Sequence, residues 1–392
     1  MIYREHNIVA CGDPIDDGAL EQIRRCSLVS ERAIMCADHH KGYAVPIGGV
    51  LASQETFSPN TVGFDIACGM KAVRIDATVA DVQPRISTIM DDVMRRISFG
   101  VGRHNNTEVD HSLFDSDAWK LSCASPHKEM ARKQLGTIGS GNHWTNIFAD
   151  EKGQIWVGCH FGSRGLGHKI ATWFFDQLGA SDNMDAEPAM LHQRAPLGEE
   201  YLEAIELAGK YAYAGRDWVC DELARIIGAK QLEEVHSHHN FLWREKHGDL
   251  DYWVGRKGAT PAWPGQRGLV GASMAEPSVI VEGVETSLSA ELLYSTVHGA
   301  GRVMSRTAAR GKINWKTGEV KSAGAVSPEM MNNWVNGASV ELRGGGLDES
   351  PDCYKRLPEV LEHHEDSIKV VHTLRPIGVA MASADVRDPY KD

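Results

Sequence analysis

Four short segments each set a metal-capable or nucleophilic side chain among glycines: FDIACGM around Cys68, SGNHW around His143, CHFGSRG around His160 and VHGAGR around His298. A fifth, HSHHN, supplies His239 in a histidine cluster without glycine. Glycine lets a backbone turn sharply and approach a ligand closely, so these segments read as converging walls of one site. Asp65 and Cys68 combine a hard carboxylate with a soft thiolate, and a thiolate can bridge two cations. Adding His143, His160 and His239 gives a mixed N/O/S set suited to Mn²⁺, Zn²⁺, Co²⁺ or Fe²⁺ rather than to Ca²⁺ or Mg²⁺. No HExxH or paired CxxC spacing is present, so the coincidence of glycine with histidine carries the reading. His298 calls for different chemistry. A histidine acts as a covalent nucleophile when its second ring nitrogen is held, and Gly299, Ala300 and Gly301 leave room and backbone N–H donors for a phosphoryl group. The alternatives are a further metal-site imidazole or a structural turn.

The elements that must position these groups alternate without repeats or a clear linker. Ile86, Ile89, Met90, Val93, Met94 and Ile97 share one helical face, which predicts an amphipathic helix over 86–97. A long helix is expected from about Glu199 to Ile227, capped by Gly228. Val- and Ile-rich runs at 71–76, 154–159, 278–282 and 368–374 read as strands, and the glycine-rich segments fall at the ends of such runs. The coarse expectation is a mixed α/β domain whose irregular loops feed one cleft, with polar residues 105–130 as an exposed connection or lid.

Composition bounds the class. A chain of 392 residues with 42% hydrophobic and 24% charged residues is ordinary for a soluble protein with a large core. No run approaches a membrane span and the start lacks the order of a secretory signal, so a cytoplasmic location is expected. The eight cysteines are scattered, which fits reduced thiols better than a disulfide framework. A net charge of −12 argues against coating nucleic acid by bulk electrostatics. Local charge differs: Arg302, Arg306, Arg310, Lys312, Lys316 and Lys321 follow His298, and Arg256, Lys257 and Arg267 precede it. Either these form a solvated basic face or the first of them hold phosphates.

The ordered motifs VPIGGVLAS, VGFDIACGM, GTIGSGNHW, HFGSRGLGH, HHN, RKGAT, HGAGRVMSR, DESPDCYK and HTLRPIGV resemble those of the RtcB-type RNA-splicing ligases from about residue 35 to 381. The resemblance implies an α+β fold: a single complex mixed α/β domain over 1–392 with a deep central metal-binding cleft, residues 382–392 forming a C-terminal extension. It implies an RNA ligase that joins 2′,3′-cyclic-phosphate or 3′-phosphate ends to 5′-hydroxyl ends, in tRNA splicing or RNA repair. In that family GTP guanylates a histidine, the nucleotide passes to the RNA 3′-phosphate, and the 5′-hydroxyl displaces GMP with the help of two Mn²⁺ ions. Carried over by motif, Asp65, Cys68, His143, His160 and His239 hold the metals, with Cys68 bridging. His298 is the nucleophile and Asp38 orients its ring. Asn142, His143, Asn146, His239, Asn240, Gly271, Ala272, Ser273, Met274, Ser278, His298, Gly299, Ala300, Gly301 and Met381 match nucleotide-site positions, and Arg164 and Arg302 are candidates for RNA phosphates. Zn²⁺ or Co²⁺ would also suit the ligand set, an archease-like activator is common in the family, and a monomer is the default.

Two positions depart from the pattern. Asn146 stands where many members carry a glutamate that helps bind guanine, and Met381 stands where a lysine contacts the base. These changes remove a charge at one position and all donors at the other, which weakens the expectation of guanine preference. They keep two other readings open: an RtcB-like 3′-end capping or processing enzyme or phosphodiesterase, and a non-catalytic RNA-binding protein.

Overall fold

A computed structural model describes residues 1–180, 183–313 and 320–384. Two sheets organise the chain. The first has six strands, in the order Ile2–Glu5, Ile8–Cys11, Arg32–His40, Ile47–Ser53, Leu250–Lys257 and Asn240–His247. The second runs Gln231–His238, Gly69–Thr78, Gln154–Phe161, Trp144–Ala149, Ile368–Ser383, Ser278–Gly283 and Arg267–Val270, with Glu341–Gly345 alongside the long Ile368–Ser383 strand. The ends of this second sheet approach one another, since Arg267 on one outer strand pairs with Glu233 on the other at 2.7 Å. The result is an α+β architecture in which a strongly curled sheet abuts a second, flatter set of strands.

The expected elements form for the expected reasons. The helix over Ile86–Arg96 buries Ile86, Ile89, Met90 and Val93, the apolar face of its 3.6-residue period. The long helix runs Pro196–Ile227, with proline at its first turn and Gly228 in the left-handed conformation at φ 81. It crosses behind the curled sheet, and its buried face is mostly alanine, glycine and leucine, so the backbone lies close to the strands. The strands expected at 71–76, 154–159, 278–282 and 368–374 each lie inside a longer observed strand. Each fully buried Ile, Leu or Phe in these layers contributes roughly 1.5–3 kcal/mol.

Segment 105–130, expected as an exposed connection or lid, is anchored. Its short 3₁₀ turns bury Leu113, Phe114 and Trp119 against the long helix, in one core cluster with Tyr201 and Tyr211. All eight cysteines are buried and free, as expected of reduced thiols. Among the described residues no helix is long and apolar enough to cross a membrane. Residues 385–392 of the expected extension, and Lys316, lie outside the described residues.

Candidate active site

The site lies where the two sheets meet, because each glycine-rich segment sits at a strand end. Cys68 immediately precedes the strand Gly69–Thr78, His143 precedes Trp144–Ala149, and His160 lies near the end of Gln154–Phe161. Register places His160 across from both Met70 and Trp144. His239 is the corner between Gln231–His238 of one sheet and Asn240–His247 of the other, so one residue links both layers. His298 follows the short strand Ser295–Val297, and Asp38 lies within Arg32–His40. Two glycines are needed for close approach: a Cβ on Gly162 would lie 2.2 Å from Asp65 Oδ1, and one on Gly301, at φ 78, would lie 2.2 Å from the Asp38 carbonyl oxygen.

Donor atoms converge in a buried cradle. His160 Nε2 lies 3.3 Å from Cys68 Sγ and 3.2 Å from His239 Nε2, and His143 Nε2 lies 3.5 Å from Cys68 Sγ and 3.0 Å from Asp65 Oδ2. Ligands on one tetrahedral ion with bonds of 2.0–2.3 Å stand about 3.3–3.8 Å apart, so the 3.3 and 3.5 Å separations of the two imidazoles from Cys68 Sγ fit a metal. Cys68, His143 and His160 form the group that could hold an ion, with one donor atom each within 4.8 Å of the others. The far nitrogen of His160, Nδ1, faces the Asn142 carbonyl at 3.0 Å, which leaves the Nε2 lone pair pointing into the cradle.

Electrostatics favour the same forms. Burial pushes the His160 and His239 imidazoles well below the ordinary histidine range, with neighbouring imidazoles adding to the shift, so both are neutral and able to ligate. Burial raises the Asp65 carboxyl, but the His143 imidazole and the Cys68 thiol more than offset it and hold the group well below the carboxylate range. Burial, then the Asp65 charge, push the Cys68 thiol up; a bound cation reverses this by binding the thiolate.

His298 stands beside this cradle. Its Nδ1 is 2.6 Å from Asp38 Oδ2, and the same oxygen accepts the backbone N–H groups of His298 at 3.0 Å and Gly299 at 3.2 Å. Asp38 is fully buried. Burial raises its pKa, yet the His298 imidazole and the two N–H donors leave it below its ordinary value, so the carboxylate is charged. With Nδ1 held in this way, Nε2 is the nitrogen available for chemistry. The His298 ring centroid is 4.7 Å from that of His239.

Two cavities meet at Asp65, Asn142 and Asn240. The first, of about 570 Å³, contains His298 and most of the expected nucleotide positions: Asn142, Asn146, His239, Asn240, Gly271 to Met274, Gly299 to Gly301 and Met381. The expected site residues His143 and Ser278 fall elsewhere. His143 faces the second cavity, and the Ser278 hydroxyl accepts the Ala272 N–H at 3.1 Å, supporting the loop from behind. Asn146 pairs across the sheet with Val379, and Met381 with Trp144, so both departures from the family pattern are on adjacent strands of one wall. The Asn146 Oδ1 atom is buried without a hydrogen-bond partner.

The second cavity, of about 1090 Å³, carries Arg103, Arg164, Lys169, Lys257 and Arg306. Arg164 Nη1 approaches His143 Nδ1 at 3.3 Å. Arg302, expected at RNA phosphates, lines the first cavity instead, and it donates to the Met304 and Asp348 carbonyls and the Tyr354 hydroxyl. Arg306 lines both cavities and is paired with Asp348 and Glu349. Sequence reasoning placed it in a basic run; its position closing the HGAGRVMSR motif was the available signal. The Lys257 ammonium, within RKGAT, is buried and donates to the Tyr43 carbonyl at 2.7 Å.

A partly buried, carboxylate-held imidazole beside a cradle of thiol and imidazole donors is a constellation suited to metal-assisted transfer at phosphorus. The particular family follows from comparison with known proteins: residues 19–382 match the family described as tRNA-splicing ligase RtcB, and the chain belongs to it. It is 28% identical to the RNA-splicing ligase RtcB1 of Escherichia coli (strain ATCC 25922) over 93% of this chain and 94% of that protein. It is 30% identical to the tRNA-splicing ligases RtcB of Archaeoglobus fulgidus, over 89% of this chain and 87% of that one, and of Pyrobaculum aerophilum, over 93% and 89%.

Proposed function

We propose that this protein is a nucleotide-dependent RNA ligase that joins a 3′-phosphate or 2′,3′-cyclic-phosphate end to a 5′-hydroxyl end through a nucleotidylated His298. The observation that carries this reading is the 2.6 Å approach of His298 Nδ1 to the buried Asp38 carboxylate, in a ring 4.7 Å from His239. In the first step His298 Nε2 attacks the α-phosphorus of GTP and pyrophosphate leaves. Asp38 offsets the positive charge that develops on the ring, and the His298 and Gly299 N–H groups fix its oxygen in place. A 2′,3′-cyclic end is first opened by water to a 3′-phosphate and a free 2′-hydroxyl; the nucleotidyl group then passes from His298 to the 3′-phosphate, and the 5′-hydroxyl displaces GMP to form the phosphodiester.

Asp65, Cys68, His143, His160 and His239 would hold two divalent ions, Mn²⁺ by family analogy, whose Lewis acidity relieves charge on the phosphate oxygens. The first cavity takes the nucleotide, with Asn142, Asn240 and the backbone of Gly299 to Gly301 near its phosphates and Asn146 and Met381 near its base. The second cavity takes RNA ends, with Arg164 and Lys257 facing their phosphates and Arg302 reaching them from the first cavity, while Arg306 is held by Asp348 and Glu349 where the two cavities meet. Residues 1–392 act as one catalytic domain, as a cytoplasmic monomer, and an archease-like activator is a candidate partner. The test is ligation of two short RNAs, one ending in a 3′-phosphate and one starting with a 5′-hydroxyl, in the presence of Mn²⁺ and GTP. Joined product that disappears in His298→Ala supports the proposal; no joined product with any NTP contradicts it.

The altered base-facing wall favours a second reading. Met381 offers no donor at the position where the family resemblance implies lysine, so activation of 3′ ends without efficient sealing is the alternative, with turnover of 3′-phosphate ends and no joined strand as its signature.

A further inference from the structure

Arg216 sits in the middle of the long helix Pro196–Ile227 and is fully buried at 0% exposure. Among the described residues no carboxylate makes a hydrogen bond or ion pair with it. Its guanidinium instead donates to four acceptors: Nη1 to the Ala67 carbonyl at 3.0 Å and the Phe161 carbonyl at 2.7 Å, Nη2 to His238 Nδ1 at 2.9 Å, and Nε to His236 Nε2 at 2.9 Å. Because His238 Nδ1 accepts this proton, its 3.1 Å approach to the Ala67 carbonyl is a contact and not a second hydrogen bond.

Three of these acceptors are the immediate chain neighbours of cradle residues. Ala67 precedes Cys68, Phe161 follows His160, and His238 precedes His239. These neighbours come from three separate pieces of chain, and one rigid planar fork reaches all of them. Ala67 also has φ 61, a left-handed backbone that alanine disfavours and that needs support from its surroundings. The approach is tight, since a Cβ on Gly69 would lie 3.1 Å from Arg216 Cζ. A buried cation without a carboxylate partner costs stability, and apolar packing would join helix to sheet more cheaply, so simple bracing does not account for it.

We infer that Arg216 is the positioning residue that sets the Cys68, His160 and His239 donor atoms at metal-binding separation. The inference rests on the reading of those three residues as metal ligands. Lysine at 216 would keep the charge but offers a point donor in place of a fork, so it cannot hold three segments in one plane. Residues that orient ligands from behind typically change metal affinity by about 10–100-fold when removed.

The test is Co²⁺ titration of the full-length metal-free protein, read by the thiolate-to-cobalt absorption band, with Mn²⁺ affinity measured by electron paramagnetic resonance and folding monitored by circular dichroism. Folded Arg216→Lys is expected to bind Co²⁺ at least about tenfold more weakly with a diminished band. Adding Ala67→Gly should recover part of that affinity, because glycine adopts positive φ unaided. A folded Arg216→Lys protein with a wild-type band and affinity within twofold overturns the inference. Should that variant not fold, His238→Phe keeps a ring of similar volume and removes one acceptor; a threefold or larger loss of affinity supports the inference, and unchanged affinity overturns it. Absence of the band in the wild-type protein defeats the metal-ligand reading itself and the inference with it, whereas a normal band in the variants defeats the inference alone.

Discussion

Replacing Asp38 by asparagine probes the proposed nucleophile with little change in shape. Asp38 Oδ2 accepts two backbone N–H groups and lies 2.6 Å from His298 Nδ1, so an asparagine oxygen in the same place keeps these contacts and removes only the charge. When His298 Nε2 attacks phosphorus the ring gains positive charge about 4 Å from the carboxylate centre. At an effective dielectric of about 20, that interaction is worth about 4 kcal/mol. Part is recovered by relaxation and by the amide dipole, which leaves a loss of roughly 2–3 kcal/mol, or an about 30- to 200-fold slower first step. The assay is single-turnover formation of covalent protein–nucleotide adduct from labelled GTP in Mn²⁺. Metal affinity should stay within a few-fold of wild type, because Asp38 touches no donor atom of the cradle. An Asp38→Asn protein that forms adduct within a factor of three of the wild-type rate refutes this account of His298 activation.

Further outcomes follow from the same geometry. Cys68→Ser should lower the affinity for Co²⁺ and Zn²⁺ by on the order of a hundredfold or more, measured by competition with a chromophoric chelator, because it removes the soft donor 3.3 Å from His160 Nε2. The double change Asn146→Glu and Met381→Lys should raise the preference for GTP over ATP in adduct formation by about tenfold, since it restores a charge and a donor to the wall that both residues line. Burial lowers the Lys257 ammonium to about 8. A lysine depressed in the fold carries its full penalty below that value and is relieved as pH rises toward 10.5, so Lys257→Met should gain roughly 1–3 kcal/mol in urea unfolding at pH 7 and nothing near pH 10.5. The same titration predicts that the KM for RNA ends rises above pH 8 in the wild type.

Much of the site was legible because its chemistry is local. Cys68, His143, His160 and His298 each sit within a few residues of a strand end and of glycines, where the chain leaves its strands and the side chains can converge. The helices over Ile86–Arg96 and Pro196–Ile227 were legible from periodicity and the Gly228 cap. What escaped depends on distant partners. The stretch 105–130 looks polar in sequence, yet the aromatic rings of Phe114 and Trp119 stack on each other at 5.4 Å and close over the long helix, which no local pattern reveals. Arg302 lines the cavity beside His298 as its place in the chain suggests, but that its guanidinium also donates to the Asp348 carbonyl and the Tyr354 hydroxyl, some fifty residues away, is not visible in sequence. Arg216 carries no signal at all: one arginine in an alanine-rich helix gains its role only when three strand ends meet it.

The central claim is that His298 takes up a nucleotidyl group beside the cradle. The most direct measurement is incubation of the metal-free protein with Mn²⁺ and α-³²P-labelled GTP or ATP, followed by protease digestion and mass mapping of the label. A phosphoramidate on His298, stable in alkali, labile in acid and absent without metal, is the predicted result. Label on another residue, or no covalent label with any nucleotide and metal while the protein still seals RNA ends, would contradict it.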